Sequence, residues 1–167
     1  MITLRAIEPE DIDAIYTWEN DPSLWIWSAS QQPFSRHTLQ QFIEQQRDAD
    51  IYTSRQLRLM ANDGTSTVGC IDLYDFDTYH HRAGVGIIVD RLQRNKGYAY
   101  EMLCQLDKFA STHLQLHQLY CHIAKDNTVS VNLFSRSGYS CSGVLQQWIW
   151  NGSQWVDALC YQKILQD

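Results

Sequence analysis

The chain has 167 residues, 44% hydrophobic and 19% charged, without charge runs or low-complexity tracts, which excludes a disordered polypeptide and suffices for one ordinary core. A net charge of −6 and a pI near 5.4 weigh against nucleic acid as a partner and leave an acidic surface able to draw in a cation. Five cysteines, an odd number without a C-x-x-C pair, suit free thiols in a reducing compartment better than a disulfide framework or a zinc site.

Met1-Ile2-Thr3-Leu4-Arg5 carries no apolar leader, and no stretch holds eighteen uninterrupted apolar residues, so the expectation is a cytoplasmic protein with no membrane partner and one domain over residues 1–167. Ile2 to Ile7 alternates as a first strand. Glu8-Pro9-Glu10-Asp11 opens a helix whose apolar face is Ile12, Ile15 and Tyr16 and which ends near Asn20-Asp21-Pro22. Ser23 to Pro33, with Trp25 and Trp27, has no clean period and reads as a loop. It serves either as an apolar latch on the core or as one wall of a substrate pocket. Ser35 then caps a second helix with the face Leu39, Phe42, Ile43 and Gln46.

Gln56 to Met60 and Thr67 to Tyr74 read as strands around an Asn62-Asp63-Gly64 turn, and Asp75 to Arg82 as a polar connection. His80 and His81 are adjacent, which is poor spacing for a shared metal on a strand, and no metal is expected. An apolar strand, Val85 to Val89, leads through the basic loop Arg91 to Ala99 into a helix with Ala99, Met102, Leu103, Leu106 and Ala110 on one face. Backbone N–H groups, the helix N-terminus, Arg94 and Lys96 converge there on one point, which suits a phosphate. Gln118 to Ala124 is the next strand, parallel to the previous one through a crossover helix. Asn127 to Tyr139 reads as a short helix stopped by Gly138, and two last strands, Cys141 to Trp150 and Trp155 to Ile164, flank Asn151-Gly152.

The loop lacks the G-x-x-x-x-G-K-[ST] of a P-loop and the G-x-G-x-x-G of a dinucleotide site. Arg94-x-x-Gly97-x-Ala99 instead resembles the R/Q-x-x-G-x-G/A signature of the GNAT superfamily of N-acetyltransferases. Asn127-Thr128-Val129-Ser130 through Leu133-Phe134 to Gly138-Tyr139 is similar to the superfamily's N-x-x-[SA]-x-x-L-Y-x-x-x-G-F segment. Val68 to Leu73, Tyr79 to Ala83 and the Asn151-Gly152 hairpin look most like the spermidine and ribosomal-protein N-terminal acetyltransferase branch.

The resemblance implies an α/β (α+β) fold with a mixed, mostly antiparallel central sheet, a β-loop-α-β acetyl-CoA site and a C-terminal β-hairpin. It implies acetyl transfer from acetyl-CoA, without a metal, to a primary amine: a polyamine, a peptide N-terminus or a small amine. The cofactor set would be Ile87, Ile88 and Val89 along the pantetheine arm, Arg94, Asn95, Lys96, Gly97, Tyr98 and Ala99 at the pyrophosphate, and Asn127, Ser130, Phe134 and Arg136 across from them. Asn127 contacts that arm or the acceptor, caps the helix, or does both.

Two positions depart from the pattern. The tyrosine that protonates the leaving thiolate in many relatives is Phe134 here, and the glutamate that often follows the alanine at the start of the central strand is Gly84. Tyr98 and Tyr139 are donors by residue type. Asp72 is the candidate base, with Glu19, Asp75 and Asp77 as alternatives. Glu19, Trp25, Trp27 and Asp75 are the candidate contacts to a cationic amine, through carboxylates and cation–π stacking. A catalytically silent CoA-binding or regulatory module is the alternative these departures leave open, and a homodimer is compatible with the strand edges.

Overall fold

The computed structural model describes residues 1–28 and 31–165. Ala29 and Ser30, within the loop expected from Ser23 to Pro33, lie outside the described residues. Seven strands form one sheet in the order β1-β2-β3-β4-β5-β7-β6, where β1 is Thr3–Ala6, β2 Leu57–Asn62, β3 Thr67–Asp77, β4 Arg82–Val89, β5 Gln118–Ala124, β6 Ser140–Trp150 and β7 Trp155–Ile164. All neighbours are antiparallel except β4 and β5.

Strand alternation divides the core between two faces. On one, Ile71, Leu73, Val85, Leu119, Cys121 and Ile123 pack under Met102, Leu103, Leu106 and Ala110 of α5 (Tyr98–Thr112), with Phe134 from α6 (Thr128–Arg136) completing the cluster. On the other, Met60 and Cys70 pack under Ile15 and Trp18 of α1 (Ile12–Glu19) and Leu39 and Ile43 of α3 (Arg36–Asp48). The Ser35 hydroxyl accepts from the Thr38 N–H at 3.1 Å, the cap expected for α3.

Three local expectations change. Pro22–Trp25 is a turn of helix, α2, because Asp21 accepts from the Ser23 N–H at 2.9 Å and Pro22 has φ pre-set for a first helical position. A second short helix, α4 (Ile51–Ser54), is capped by Asp50. The connection assigned to Asp75–Arg82 is shorter than expected, since β3 continues to Asp77 through an irregularity between Tyr74 and Asp77, where Asp75 has φ 49° and lets Phe76 reach the core. At the far hairpin, Asn151 to Gln154 form the loop, with the Asn151 side-chain oxygen accepting from the Ser153 and Gln154 N–H groups.

Candidate active site

β4 and β5 run side by side only at their beginnings. The ladder pairs Arg82 with Gln118, Ala83 with Leu119 and Gly84 with Tyr120, and stops there, although β4 continues to Val89 and β5 to Ala124. The edges of Ile87, Ile88 and Val89 on one side and of His122 to Ala124 on the other therefore border a wedge with no strand between them. Beyond Val89 the chain makes a 3-10 turn at Arg91–Gln93, anchored by Asp90, which accepts from the Leu92 N–H and the Trp18 indole, both at 2.9 Å.

The loop that follows presents a row of unclaimed donors. Asn95 and Gly97 have φ 63° and 83°, turning successive N–H groups toward one side, and Gly97 stands at the N-cap of α5 with no side chain to cap it. Among the described residues, no acceptor takes the backbone N–H groups of Arg94 to Ala99, while those of Tyr100 and Glu101 close onto the Gly97 carbonyl. A Cβ on Gly97 would meet nothing within 4 Å, so the space above this backbone is open. Arg94 anchors its Nε on the Val89 carbonyl at 3.2 Å, Lys96 rests on Gln93 at 2.6 Å, and both are exposed. Unclaimed N–H groups at a helix N-terminus with two flanking cations fit a diphosphate. Tyr98 ties the loop to the β2–β3 turn by donating to Asp63 at 3.3 Å. The N–H groups of Thr65 and Ser66 hold the Asp63 carboxyl below the usual carboxylate range.

The carboxylates expected on the acceptor side are already occupied. Arg58 of β2 donates from Nε and Nη2 to the two oxygens of Asp72, both at 2.8 Å, and from Nη1 to Glu19 at 2.7 Å, while its guanidinium lies 5.1 Å from the Phe42 ring centre. Burial opposes the Arg58 charge, and Asp72 and Glu19 more than offset it. Asp72 as a free base thus requires correction, because both of its oxygens already accept from the Arg58 guanidinium. Glu19 is likewise paired, so a direct contact from its carboxylate to a cationic amine competes with Arg58. Its backbone carbonyl accepts from the Trp25 indole at 2.8 Å. Trp27 is 45% exposed. Asp75 makes no hydrogen bond or ion pair among the described residues and is exposed, unlike Asp77, which sits 3.4 Å from Arg82.

Across the wedge, Asn127 caps α6, its side-chain oxygen accepting from the Ser130 N–H at 3.2 Å, which leaves its amide NH₂ group without a partner among the described residues. Ser130 is half-buried. Arg136 is exposed, 5.9 Å from the Tyr100 ring centre. Phe134 also requires correction as a cofactor contact, because its side chain is 3% exposed and packs edge-on to Tyr139 in the core. Tyr139 is no proton donor to the wedge either. Its hydroxyl donates to Asp107 at 3.0 Å beneath α5, and burial together with that carboxylate pushes its pKa far up.

Reading along the chain missed what lies over Gly84. A Cβ there would come within 2.2 Å of the Tyr74 ring, which occupies the space a side chain at this position would need. The Tyr74 ring stands edge-on to Tyr120 at 6.2 Å, and Tyr120 to His122 at 5.9 Å. Alternation along β3 and β5 was the available signal, since Tyr74, Tyr120 and His122 are the polar counterparts of Leu73, Leu119 and Cys121. Tyr120 and His122 of this row border an open cavity of about 500 Å³ whose other walls include Asp75, Gln118 and Cys160.

The acetyltransferase (GNAT) domain model matches residues 1–140. The chain belongs to that family. Among its relatives are the SPbeta prophage-derived N-acetyltransferase YokL of Bacillus subtilis, 27% identical over 96% of this chain and 88% of that protein, and the spermidine N(1)-acetyltransferase of Vibrio cholerae, 24% identical over 90% and 86%. The crystal structure of spermidine N-acetyltransferase from Vibrio cholerae with CoA and spermine superposes with a TM-score of 0.88 over 98% of this chain and 95% of that one, at 22% identity, a likeness of fold. As a GNAT acetyltransferase, the chain takes its acetyl group from acetyl-CoA and passes it to an amine. No helix among the described residues is long and apolar enough to cross a membrane, and no cluster of metal-binding side chains occurs among them.

Proposed function

We propose that this acetyltransferase acts on a cationic primary amine of the polyamine or small-amine class, entering over the open face of β5 and β7. The observation that carries the reading is Asp75, an exposed carboxylate without a counter-ion at the wall of the 500 Å³ cavity, which accords with relatives named as spermidine acetyltransferases. Both cavity arginines have partners: Arg82 pairs with Asp77, and Arg55 donates to the Phe76 carbonyl at 3.0 Å. Asp75 is therefore the carboxylate left to meet an ammonium group. Trp25, whose indole donates to the Glu19 carbonyl, and the exposed Trp27 are the aromatic surfaces this reading offers the amine.

In this reading the N–H groups from Asn95 to Ala99, with Arg94 and Lys96, hold the diphosphate of the donor. The free edge of Ile87, Ile88 and Val89 pairs with its amide arm, while Asn127, steadied through Ser130, offers its NH₂ group from the other side, and Arg136 adds charge at the rim. Asp72 keeps Arg58 and Glu19 in place under α1. A neighbouring structure is described as dodecameric spermidine N-acetyltransferase from Vibrio cholerae, and self-association of this chain through its exposed tail hairpin belongs to the same proposal.

Calorimetric titration with acetyl-CoA, joined to a thiol-release assay over spermidine, spermine, a short peptide and simple monoamines, tests it. Binding together with turnover on the cationic amines is the expected result. Tight acetyl-CoA binding without turnover on any amine would instead identify a silent binding module, and absence of binding would remove the loop assignment as well.

A further inference from the structure

We infer that His122 is the residue that takes the proton from the acceptor amine, a role that rests on the amine-acetylating function proposed above. Three observations on β5 converge on it. First, the β4–β5 ladder ends at Gly84 and Tyr120, so His122, two residues further on, is on the first stretch of β5 whose edge borders the wedge. Second, its side chain shares a face with Tyr120, Tyr74 and the two glycines of β4: a Cβ on Gly86 would stand 3.7 Å from that of Asp72, and one on Gly84 would strike Tyr74. Third, it is exposed and lines the cavity that holds Asp75.

The rest of this face offers no better proton acceptor. Asp72 and Glu19 are bound to Arg58. The Tyr74 phenol, pushed up in pKa chiefly by burial and then by Tyr120, stays protonated, and Gly84 has no side chain. His122 itself is faced by Tyr120 on its own strand and by Cys160, its cross-strand partner on β7. At the cavity's far wall stand Asp75 and the pairs Asp77–Arg82 and Arg55–Phe76 carbonyl. Asp75, the carboxylate of this cavity without a partner among the described residues, attracts the ammonium into it, and His122 lines the same cavity two residues beyond the end of the β4–β5 ladder.

The step balances as follows. The neutral imidazole removes one proton from R–NH₃⁺, directly or through one water, giving R–NH₂ and imidazolium. The freed lone pair forms the N–C bond to the acetyl carbon while the C–S bond breaks and its electron pair leaves on sulfur. A second N–H proton ends on that sulfur as a thiol, and His122 returns its proton to solvent.

The test uses the full chain with His122→Gln and His122→Ala. In wild type, kcat/KM for the best amine of the panel falls on the acid side with unit slope. In the Gln variant kcat drops by about 100-fold or more and that acid limb disappears, while the KM for acetyl-CoA is unchanged. Added imidazole restores part of the rate of the Ala variant, which a purely structural role would not allow. Independently of turnover, the His122 ring resonances of wild-type protein saturated with coenzyme A shift on adding spermidine, and those of His80 and His81 do not. A Gln variant with wild-type kcat and acid limb, or a His122 ring indifferent to every amine that turns over, overturns the assignment while leaving the amine reading intact. A wild-type protein that binds acetyl-CoA but acetylates no amine overturns both.

Discussion

Arg94 and Lys96 stand exposed at the end of β4 beside N–H groups that donate to nothing among the described residues, whereas Arg58 is enclosed by Glu19, Asp72 and the Phe42 ring, with all three of its donor nitrogens on carboxylates. Both regions are basic side chains bordering the same sheet, and they do opposite work. Polar groups left without partners are available to a ligand, while groups satisfied within the fold hold elements together and cannot be withdrawn without cost. The acceptor side follows the same logic, since Asp75 and His122 are open where Asp72 and Glu19 are closed.

Arg58→Met tests the closed half and carries the largest expected effect. It leaves two carboxylates, 15% and 25% exposed, facing each other without a counter-ion, and the expected loss is about 3–5 kcal/mol in urea unfolding. Adding Glu19→Gln and Asp72→Asn to that variant should recover much of the loss. A single variant as stable as wild type would show that the cluster is not structural.

Gly97→Glu tests the open half. Nothing in the protein would touch the new Cβ, so the fold persists at a cost of about 1–2 kcal/mol for a non-glycine residue at φ 83°. A carboxylate placed among the unclaimed N–H groups should weaken acetyl-CoA binding by about 100-fold or more, read by calorimetry, and unchanged affinity would undo the loop assignment.

Gly84→Ala asks whether Tyr74 has taken over the space of a missing side chain. The methyl group collides with the ring, with an expected loss of about 1–3 kcal/mol in thermal unfolding. Combined with Tyr74→Ala the two effects should be strongly non-additive, and additive effects would separate the two positions.

Asp11→Asn gives the smallest change. Arg5 donates to both Asp11 oxygens at 2.7 Å and the Glu8 N–H donates at 2.9 Å, which outweighs burial and lowers the Asp11 pKa. A lowered carboxylate pKa adds stability that is present above its unfolded value, about 3.9, and is lost as pH falls through the folded value. The variant should lose about 1 kcal/mol at neutral pH and show a flatter stability profile below about pH 4. An unchanged acid profile would mean the pair contributes nothing.

The open region was far more legible in the sequence than the closed one. The span of β5, the cap at Ser35 and the loop Arg94–Ala99 all follow from residues within one turn or one strand of each other, where periodicity and capping chemistry operate. The short helices α2 and α4 hid behind their caps, because four residues provide too little period to recognise. Asp72 illustrates the other limit: alternation places it on the right face of β3, but its partner Arg58 is 14 positions earlier and Glu19 is 53 positions away.

The sequence by itself determined the order of the strands and the longer helices, the loop Arg94–Ala99 and the superfamily, because each is written in contiguous residues with fixed spacing. Only the tertiary structure decided which ionisable groups are free. Pairing across β2, β3 and α1 ties Asp72 and Glu19 to Arg58, Phe134 and Tyr139 turn into the core under α5, and Tyr74 fills the space over Gly84. The early parting of β4 from β5 leaves His122 facing open space, since charge partners and free edges depend on which distant strands become neighbours.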